Sequence, residues 1–99
     1  MTINTKREGS TLTMEIEGRI DTQTAPDLQE AVEGSLEGVA RLVLDFTKVI
    51  YISSAGLRAV LTAQNMMDEK GGEMLIRGAN KNIVGVFKVT GFDSFLTLE

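Results

Sequence analysis

The sequence predicts an α/β fold in which a mixed β-sheet carries its helices mainly on one face, in the element order β-β-α-β-α-β-α-β. Residues 11–17 alternate strictly between polar and apolar, which indicates a strand with one buried and one wet face. Residues 40–46 form a nearly continuous apolar run, which is typical of a central strand buried on both faces. Strands linked by helical crossovers are expected to be parallel, whereas the first two strands should form an antiparallel hairpin. At 99 residues, the chain is expected to be one domain, residues 1–99.

The first two strands are predicted from their alternation and from the turn between them. Residues 2–7 alternate more weakly than residues 11–17, and residues 8–10 (Glu-Gly-Ser) indicate a hairpin turn. Gly18 is expected to close the second strand. The amphipathic pattern of that strand predicts a sheet with one face largely bare of helices. Its buried face carries Leu12, Met14 and Ile16.

The first helix is predicted to follow residues 21–24, which supply N-cap candidates. Pro26 suits the first turn, because its missing N–H needs no partner there. Gly34 and Gly38 are expected to weaken or end the helix. The apolar stripe of this helix consists of Ala25, Leu28, Val32 and Leu36.

A second helix is predicted after residues 49–52, where an apolar run stops at Ser53 and Ser54. Its apolar stripe is broken only by Gln64 and is expected to pack in the core. Residues 70–72 (Lys-Gly-Gly) end it. The stripe consists of Leu57, Val60, Leu61 and Met67.

The rest of the chain predicts three further elements. Residues 73–77 read as a short strand, and residues 78–80 as a turn. A short helix is expected to end near Gly91, and residues 92–98 are predicted to form a last edge strand.

The composition excludes several kinds of site. The chain has no Cys and no His, so disulfides, thiol nucleophiles, Cys/His zinc sites and His-based triads are all excluded. No loop of alternating carboxylates appears, so no built-in metal site is expected. A serine nucleophile would lack its usual base, and the chain is therefore expected not to be an enzyme and to need no cofactor of its own.

Charge and hydropathy limit the classes of partner that we expect for this chain. The net charge is −4 and no basic cluster is present, so nucleic-acid binding is not expected. The N-terminal segment lacks the apolar core of a signal peptide, and no apolar run approaches the roughly 20 residues that span a bilayer. We therefore expect a cytoplasmic protein without a membrane association.

The junction between residues 49–52 and the second helix is open to two interpretations. In the first, a serine there is an ordinary N-cap that stabilises the helix by roughly 1 kcal/mol. Alternatively, the unpaired N–H groups and positive end of the helix are suited to hold a phosphate added to a serine hydroxyl. Gly56, which has no side chain, is expected to let a partner approach that hydroxyl closely.

Several segments together resemble the STAS domain, the family of bacterial anti-sigma-factor antagonists and of regulatory domains of sulphate transporters. The similarity covers essentially the whole chain, including the element order. Each motif alone is weak, but together they are specific. The segments are 18–21, 25–28, 44–46, 52–57, 71–74 and 86–92.

The resemblance implies a phosphorylation site. In phosphorylated antagonists the turn reads aspartate, serine, serine or threonine, glycine, leucine, and the first hydroxyl residue takes the phosphate. Matched to this chain, Ser54 is the acceptor, Ser53 replaces the aspartate and Ala55 replaces the second hydroxyl residue.

The resemblance also implies a surface that binds a partner. Asp21 would pair with a basic residue of a partner kinase, although it is equally interpreted as a helix cap. Arg58 is available to orient a phosphate or a partner carboxylate, or is simply a solvated charge. The complete predicted surface is Asp21, Thr22, Gln23, Thr24, Ser53, Ser54, Ala55, Gly56 and Arg58.

Two functional hypotheses follow. In the first, the chain is an anti-sigma-factor antagonist that binds an anti-sigma-factor serine kinase and thereby releases a sigma factor. The antagonist is switched off when the kinase phosphorylates Ser54. A metal-dependent phosphatase reverses the modification. In the second, the chain is a constitutive STAS subunit of a transporter or other regulatory complex and is never phosphorylated. The serine at position 53 favours the second hypothesis, because it departs from the aspartate of the phosphorylated antagonists.

Overall fold

The computed structural model describes residues 1–99 and contains four strands, three helices and one 3₁₀ turn. No helix combines the length and the apolar character needed to cross a membrane. In chain order the elements are β1 (Thr2–Glu8), β2 (Thr11–Ile20), α1 (Ala25–Glu33), β3 (Arg41–Ile52), α2 (Ser54–Glu69), β4 (Glu73–Arg77), α3 (Lys81–Thr90) and the 3₁₀ turn (Phe92–Ser94).

The four strands form one mixed sheet in the order β1-β2-β3-β4. β1 and β2 pair as the predicted antiparallel hairpin, and β2, β3 and β4 are parallel neighbours, as the helical crossovers require. The predicted fold class is therefore confirmed. One consequence matters for function: the carboxyl ends of β2 and β3 lie side by side, with Ile20 paired to Ile52.

The core lies on one face of the sheet. A cluster of 23 buried residues joins the inward-facing side chains of β2, β3 and β4 to the buried faces of all three helices. Of the apolar stripe predicted for α2, Leu57, Val60 and Met67 belong to this cluster, whereas Leu61 is half-buried and lies outside it. The helices thus cover one face, as the amphipathic pattern of β2 predicted.

The opposite face is covered by no helix of this core and carries paired charges. Lys6 lies 3.5 Å from Glu15, Arg41 lies 3.4 Å from Glu73, and Arg77 lies 3.6 Å from Asp45. These pairs join neighbouring strands across the sheet, so opposite charges face one another along it. Val43 and Leu75 are the buried apolar residues in the middle of this face.

Burial acts to raise the pKa of Asp45, but hydrogen bonds to the carboxylate lower the pKa by more. The hydroxyl and the N–H of Thr47 donate to the Asp45 carboxylate at 2.6 Å and 2.9 Å, and Arg77 acts in the same direction. The pKa of Asp45 is therefore lowered from its ordinary value. The carboxylate stays ionised beside Arg77 on the bare face.

Two predictions about strand ends are wrong. β2 continues through Gly18 to Ile20, because Gly18 has a φ of +105° and occupies a register irregularity instead of ending the strand. Residues 92–98 do not form a strand. Phe92–Ser94 makes a 3₁₀ turn in which Asp93 and Ser94 favour turn conformations, and only Leu98 bridges to Ile76 of β4.

Gln64 interrupts the apolar face of α2 and generates a stability prediction. It is 8% exposed; its Nε2 donates to Asp68 at 2.9 Å, but its Oε1 is buried without a partner. Replacing Gln64 by Met keeps the chain length of the side chain and removes the unsatisfied oxygen. We expect Gln64→Met to raise the free energy of unfolding by about 1 kcal/mol, measured by urea denaturation.

The matched control is Gln29→Met, which makes the same change on α1 at a half-buried position. It should alter the free energy of unfolding by no more than about 0.5 kcal/mol. If Gln64→Met were destabilising while Gln29→Met was neutral, the bond to Asp68 would outweigh the unsatisfied oxygen, and the prediction would be wrong.

Candidate functional site

The candidate site begins where β3 ends and α2 starts. Ser53 leaves the strand with an extended backbone and caps the helix: its side-chain oxygen accepts a hydrogen bond from the Gly56 N–H at 3.2 Å. Its carbonyl accepts the first helical bond, from the Leu57 N–H at 2.9 Å. The interpretation of Ser53 as an N-cap is therefore confirmed.

Ser54 is the first residue of α2 and is exposed. Its hydroxyl takes no part in the cap, since Ser53 makes the capping bond. The N–H groups of Ser54 and Ala55 donate to no acceptor within the chain, because the bonds of this first turn begin at Gly56 and Leu57. An accessible hydroxyl thus stands beside free donors at the positive end of a 16-residue helix.

The structure contradicts the prediction for Gly56. This glycine is buried and does not open a path for a partner. A Cβ built on it would lie 2.6 Å from the Ile20 carbonyl oxygen and 2.7 Å from a side-chain carbon of Ile52. Gly56 lies inside the protein because the first turn of α2 packs directly on the end of β2, so it does not belong to the binding surface.

A second turn, formed by residues 21–24, precedes α1. The Asp21 carboxylate accepts hydrogen bonds from the N–H groups of Gln23 at 3.0 Å and Thr24 at 3.1 Å. In return the Asp21 N–H donates to the Thr24 hydroxyl oxygen at 2.8 Å. This reciprocal pair resembles a capping box and holds the 21–24 turn. Asp21 is not the residue that directly precedes α1, which is Thr24 and makes no side-chain capping bond to the helix.

Asp21 remains charged and partly available to solvent. The pKa of Asp21 is lowered from its ordinary value of 3.8, chiefly because the Thr24 N–H donates a hydrogen bond to the carboxylate. Partial burial acts to raise the pKa. The Gln23 N–H, the Thr24 hydroxyl and Arg19 lower it further. One oxygen holds the turn, and the other lies 3.7 Å from Nε of Arg19. The side chain is 29% exposed, so a partner cation has access to the carboxylate.

The two turns lie next to each other. The Ser53 N–H donates to the Ile20 carbonyl at 2.9 Å, which ties the start of α2 to the residue before Asp21. Most other predicted residues are accessible: Thr22, Gln23 and Arg58 are exposed, and Ala55 is half-buried. Thr24 is also half-buried, and its hydroxyl donates to the Arg19 carbonyl at 2.8 Å, so its role is to hold the turn.

An open groove of about 390 Å³ runs between α1 and α2 beside these turns, and we call it the α1–α2 groove. Thr22, Ala55 and Arg58, three of the predicted residues, line it. The α1 side of the groove is not predictable from the sequence, because a charged residue on an exposed helix face gives no signal of its own. That side contributes Ala25, Pro26, Gln29, Glu30 and Glu33.

A stacked pair at the strand ends is likewise absent from the sequence-based predictions. The Arg19 guanidinium lies 4.3 Å from the centre of the Tyr51 ring, a cation–π contact that orients Arg19 near Asp21. Tyr51 and Ile50 are both exposed large apolar residues. Arg19 and Tyr51 are paired residues of the neighbouring strands β2 and β3. This pairing depends on the tertiary structure, so no local sequence pattern predicts it.

Comparison with known proteins identifies relatives of this arrangement. The family model for the STAS domain matches residues 2–99. The anti-sigma-B factor antagonist of Listeria monocytogenes is 29% identical over 86 residues, which cover 85% of this chain and 75% of the relative.

Solved structures show the same fold at low sequence identity. The Bacillus cell fate determinant SpoIIAA has been solved unphosphorylated (TM-score 0.78, 12% identity, 99% of this chain and 87% of that one) and phosphorylated (TM-score 0.77, 13% identity, 99% and 91%). A sulfate transporter family protein from Wolinella succinogenes has a TM-score of 0.79 at 22% identity, over 88% of this chain and 71% of that one. At these identities the likeness shows the fold alone.

The packing at Gly56 predicts that even one methyl group is not tolerated. Gly56→Ala places a Cβ against the backbone of Ile20, and overpacking of this kind costs about 1–3 kcal/mol. Gly85→Ala is the matched control, since Gly85 also lies within a helix and a Cβ there meets nothing within 4 Å. We expect Gly85→Ala to be neutral or stabilising by up to about 1 kcal/mol. Urea denaturation measures both, and equal effects of the two substitutions would contradict this account.

The charge of Asp21 predicts a pH dependence of stability. Because its pKa is lower in the folded state, its contribution is fully present above the unfolded value, near 3.8, and is lost as the pH falls through the folded value. Asp21→Asn keeps an oxygen to accept the two N–H bonds but removes the charge. We expect the difference in free energy of unfolding between wild type and Asp21→Asn to be largest well above pH 3.8 and to shrink as the pH falls below that value, because the lowered folded pKa is then being titrated. A difference that persisted at low pH would mean that the substitution damages the turn itself.

Proposed function

Because this chain belongs to the STAS domain family, we propose that it is an anti-sigma factor antagonist whose binding is switched by phosphorylation of Ser54. In the unphosphorylated state, the 21–24 turn and the start of α2 dock on an anti-sigma factor that is also a serine kinase. Docking displaces the sigma factor from the kinase. The observation that carries the proposal is the exposed Ser54 hydroxyl beside two free N–H groups, with the cap provided by its neighbour Ser53.

The serine at position 53 is compatible with this proposal. Serine and aspartate are about equally good N-caps, and Ser53 makes the capping bond to Gly56 N–H. The replacement therefore keeps the geometry of the turn and removes one negative charge beside the acceptor. Ser54 itself carries no structural hydrogen bond that modification would break.

The modification is a phosphoryl transfer in which the kinase supplies ATP and Mg²⁺. A bond forms between Oγ of Ser54 and the γ-phosphorus, the bond from that phosphorus to the bridging oxygen breaks, and ADP leaves while the hydroxyl proton passes to a base of the kinase. A metal-dependent phosphatase reverses the change by hydrolysis to inorganic phosphate. This chain contributes the acceptor, its exposure and the surface that the kinase recognises.

The switch requires only local electrostatics. Phosphoserine adds roughly −1.5 to −2 charges at pH 7. The free N–H groups of Ser54 and Ala55 are available to the phosphate, so the fold tolerates it. A kinase surface shaped around a hydroxyl and around the carboxylate of Asp21 loses affinity by desolvation and repulsion. A loss of about 3 kcal/mol corresponds to more than a hundredfold in affinity.

A second candidate function rests on position 53. Without the aspartate, the turn would serve as a constant packing surface against the ATPase of a transporter or another complex, and Ser54 would never be phosphorylated. Both candidate functions use the same surface of the chain. They differ in whether Ser54 is phosphorylated and not in where the partner binds.

The test compares substitutions at the two serines. Wild type is incubated with each candidate kinase from the same genome, ATP and Mg²⁺, and its intact mass is measured. We expect one added phosphate on wild type and none on Ser54→Ala. Ser53→Ala is the matched control: it removes the cap and about 1 kcal/mol of stability, but it keeps the acceptor and remains a substrate.

Binding measurements complete this test. Ser54→Ala should bind the kinase about as well as wild type, because the hydroxyl makes no bond within the chain, and Ser54→Asp should bind at least tenfold more weakly. The absence of phosphate on wild type with every kinase would favour the constitutive subunit. If Ser54→Asp bound as tightly as wild type, a switch based on charge would be excluded.

A further inference from the structure

The α1–α2 groove has small apolar lining residues and unequal charged sides. Its apolar residues, Ala25, Ala55 and Ala59, leave space between the helices. The groove is open to solvent and has a volume of about 390 Å³. Glu30 and Glu33 line it from α1, and Arg58 lines it from α2.

Neither glutamate of the groove forms an ion pair, although Arg58 lines the same groove from α2. All four ion pairs lie elsewhere: three cross the bare face of the sheet, and one joins Arg19 to Asp21. Glu30 and Glu33 are both exposed. The only hydrogen bond to either carboxylate comes from the neighbouring Gln29 amide, which donates to Glu33 at 3.1 Å. They lie three residues apart on one helix, so both are available to a single cation.

The groove is continuous with the proposed switch surface. Ala55 directly follows Ser54, Arg58 lies one helical turn further on, and Thr22 belongs to the 21–24 turn. A protein that covers the Ser54 hydroxyl therefore reaches the opening of the groove. The same protein meets the carboxylates of α1 only if it extends along the groove.

We propose that the α1–α2 groove binds a segment of the partner kinase that places a basic side chain against Glu30 and Glu33 and packs short apolar groups against the alanines. This inference rests on the proposed function and adds the chemistry of the partner. The acidic side of the groove selects the cation and speeds association, whereas the alanines allow the segment to approach closely. The groove gives the kinase a contact that does not involve Ser54.

The experiment reverses the charges of the groove and uses a control with the same net charge. Glu30→Lys/Glu33→Lys is compared with Glu37→Lys/Glu69→Lys, which alters exposed residues outside the groove lining. Affinity of the unphosphorylated chain for the kinase is measured by titration calorimetry at low and at high salt. We expect the groove variant to bind about 20-fold more weakly at low salt and the control less than threefold more weakly. The difference should shrink at high salt, because exposed charges are screened. Circular dichroism melting confirms that both variants fold.

The outcomes separate this inference from the proposed function. If wild type binds the kinase and is phosphorylated but the groove variant behaves like the control, the inference is wrong and the proposed function stands. If wild type neither binds nor is phosphorylated, the proposed function fails, and the inference fails with it. If light scattering shows that wild type self-associates and that only the groove variant does not, while kinase affinity is unchanged, the occupant is a second copy of the chain and the inference is overturned.

Discussion

The close contact between the first turn of α2 and the end of β2 determines the geometry of the whole site. Gly56 lies so near the Ile20 carbonyl that no side chain fits between them, and the Ser53 N–H donates to the same carbonyl at 2.9 Å. Ile20 is followed at once by Asp21, and Ser53 by Ser54. The contact therefore fixes the turn at Ser54 and the 21–24 turn relative to each other, although Asp21 and Ser54 lie 33 positions apart in the sequence.

This contact depends on an irregular strand. β3 has 12 residues and β2 has 10, yet Thr11 pairs with Arg41 and Ile20 pairs with Ile52. Two register irregularities absorb the two extra residues of β3, and they change which side chains face the core between Phe46 and Ile52. Ile50 and Tyr51 become exposed beside the site as a result, while Val49 and Ile52 stay buried. The bulges thus deliver both strand ends to the same level of the sheet.

The sequence predicts the fold class because the periodicity of its helices and strands is strong, and the structure confirms it. It does not predict the course of β3 after Phe46, because an irregular strand loses the alternation by which strands are recognised. At the site, Ser53 and Ser54 belong to a local sequence pattern, so the sequence predicts their position at the start of α2. The prediction for Gly56 is wrong because a glycine two residues after an exposed serine has the same sequence signature whether it faces a partner or the protein's own backbone. Glu30 and Glu33 were missed because their significance comes from lying opposite α2.

The four ion pairs are unevenly distributed over the molecule, and three of them lie on the bare face of the sheet. On the bare sheet face, oppositely charged side chains are paired between strands, and Asp45 is held ionised by Thr47 and Arg77. On the helical side, Glu30 and Glu33 in the second half of α1 and Arg58 in the first turns of α2 form no ion pair within the chain. Paired charges are already satisfied and attract a partner weakly, whereas unpaired ones gain most from a complementary surface. In the proposed switch, a phosphate on Ser54 would add its negative charge on the helical side, where a docking partner would meet it, and no rearrangement of the fold would be needed to weaken binding.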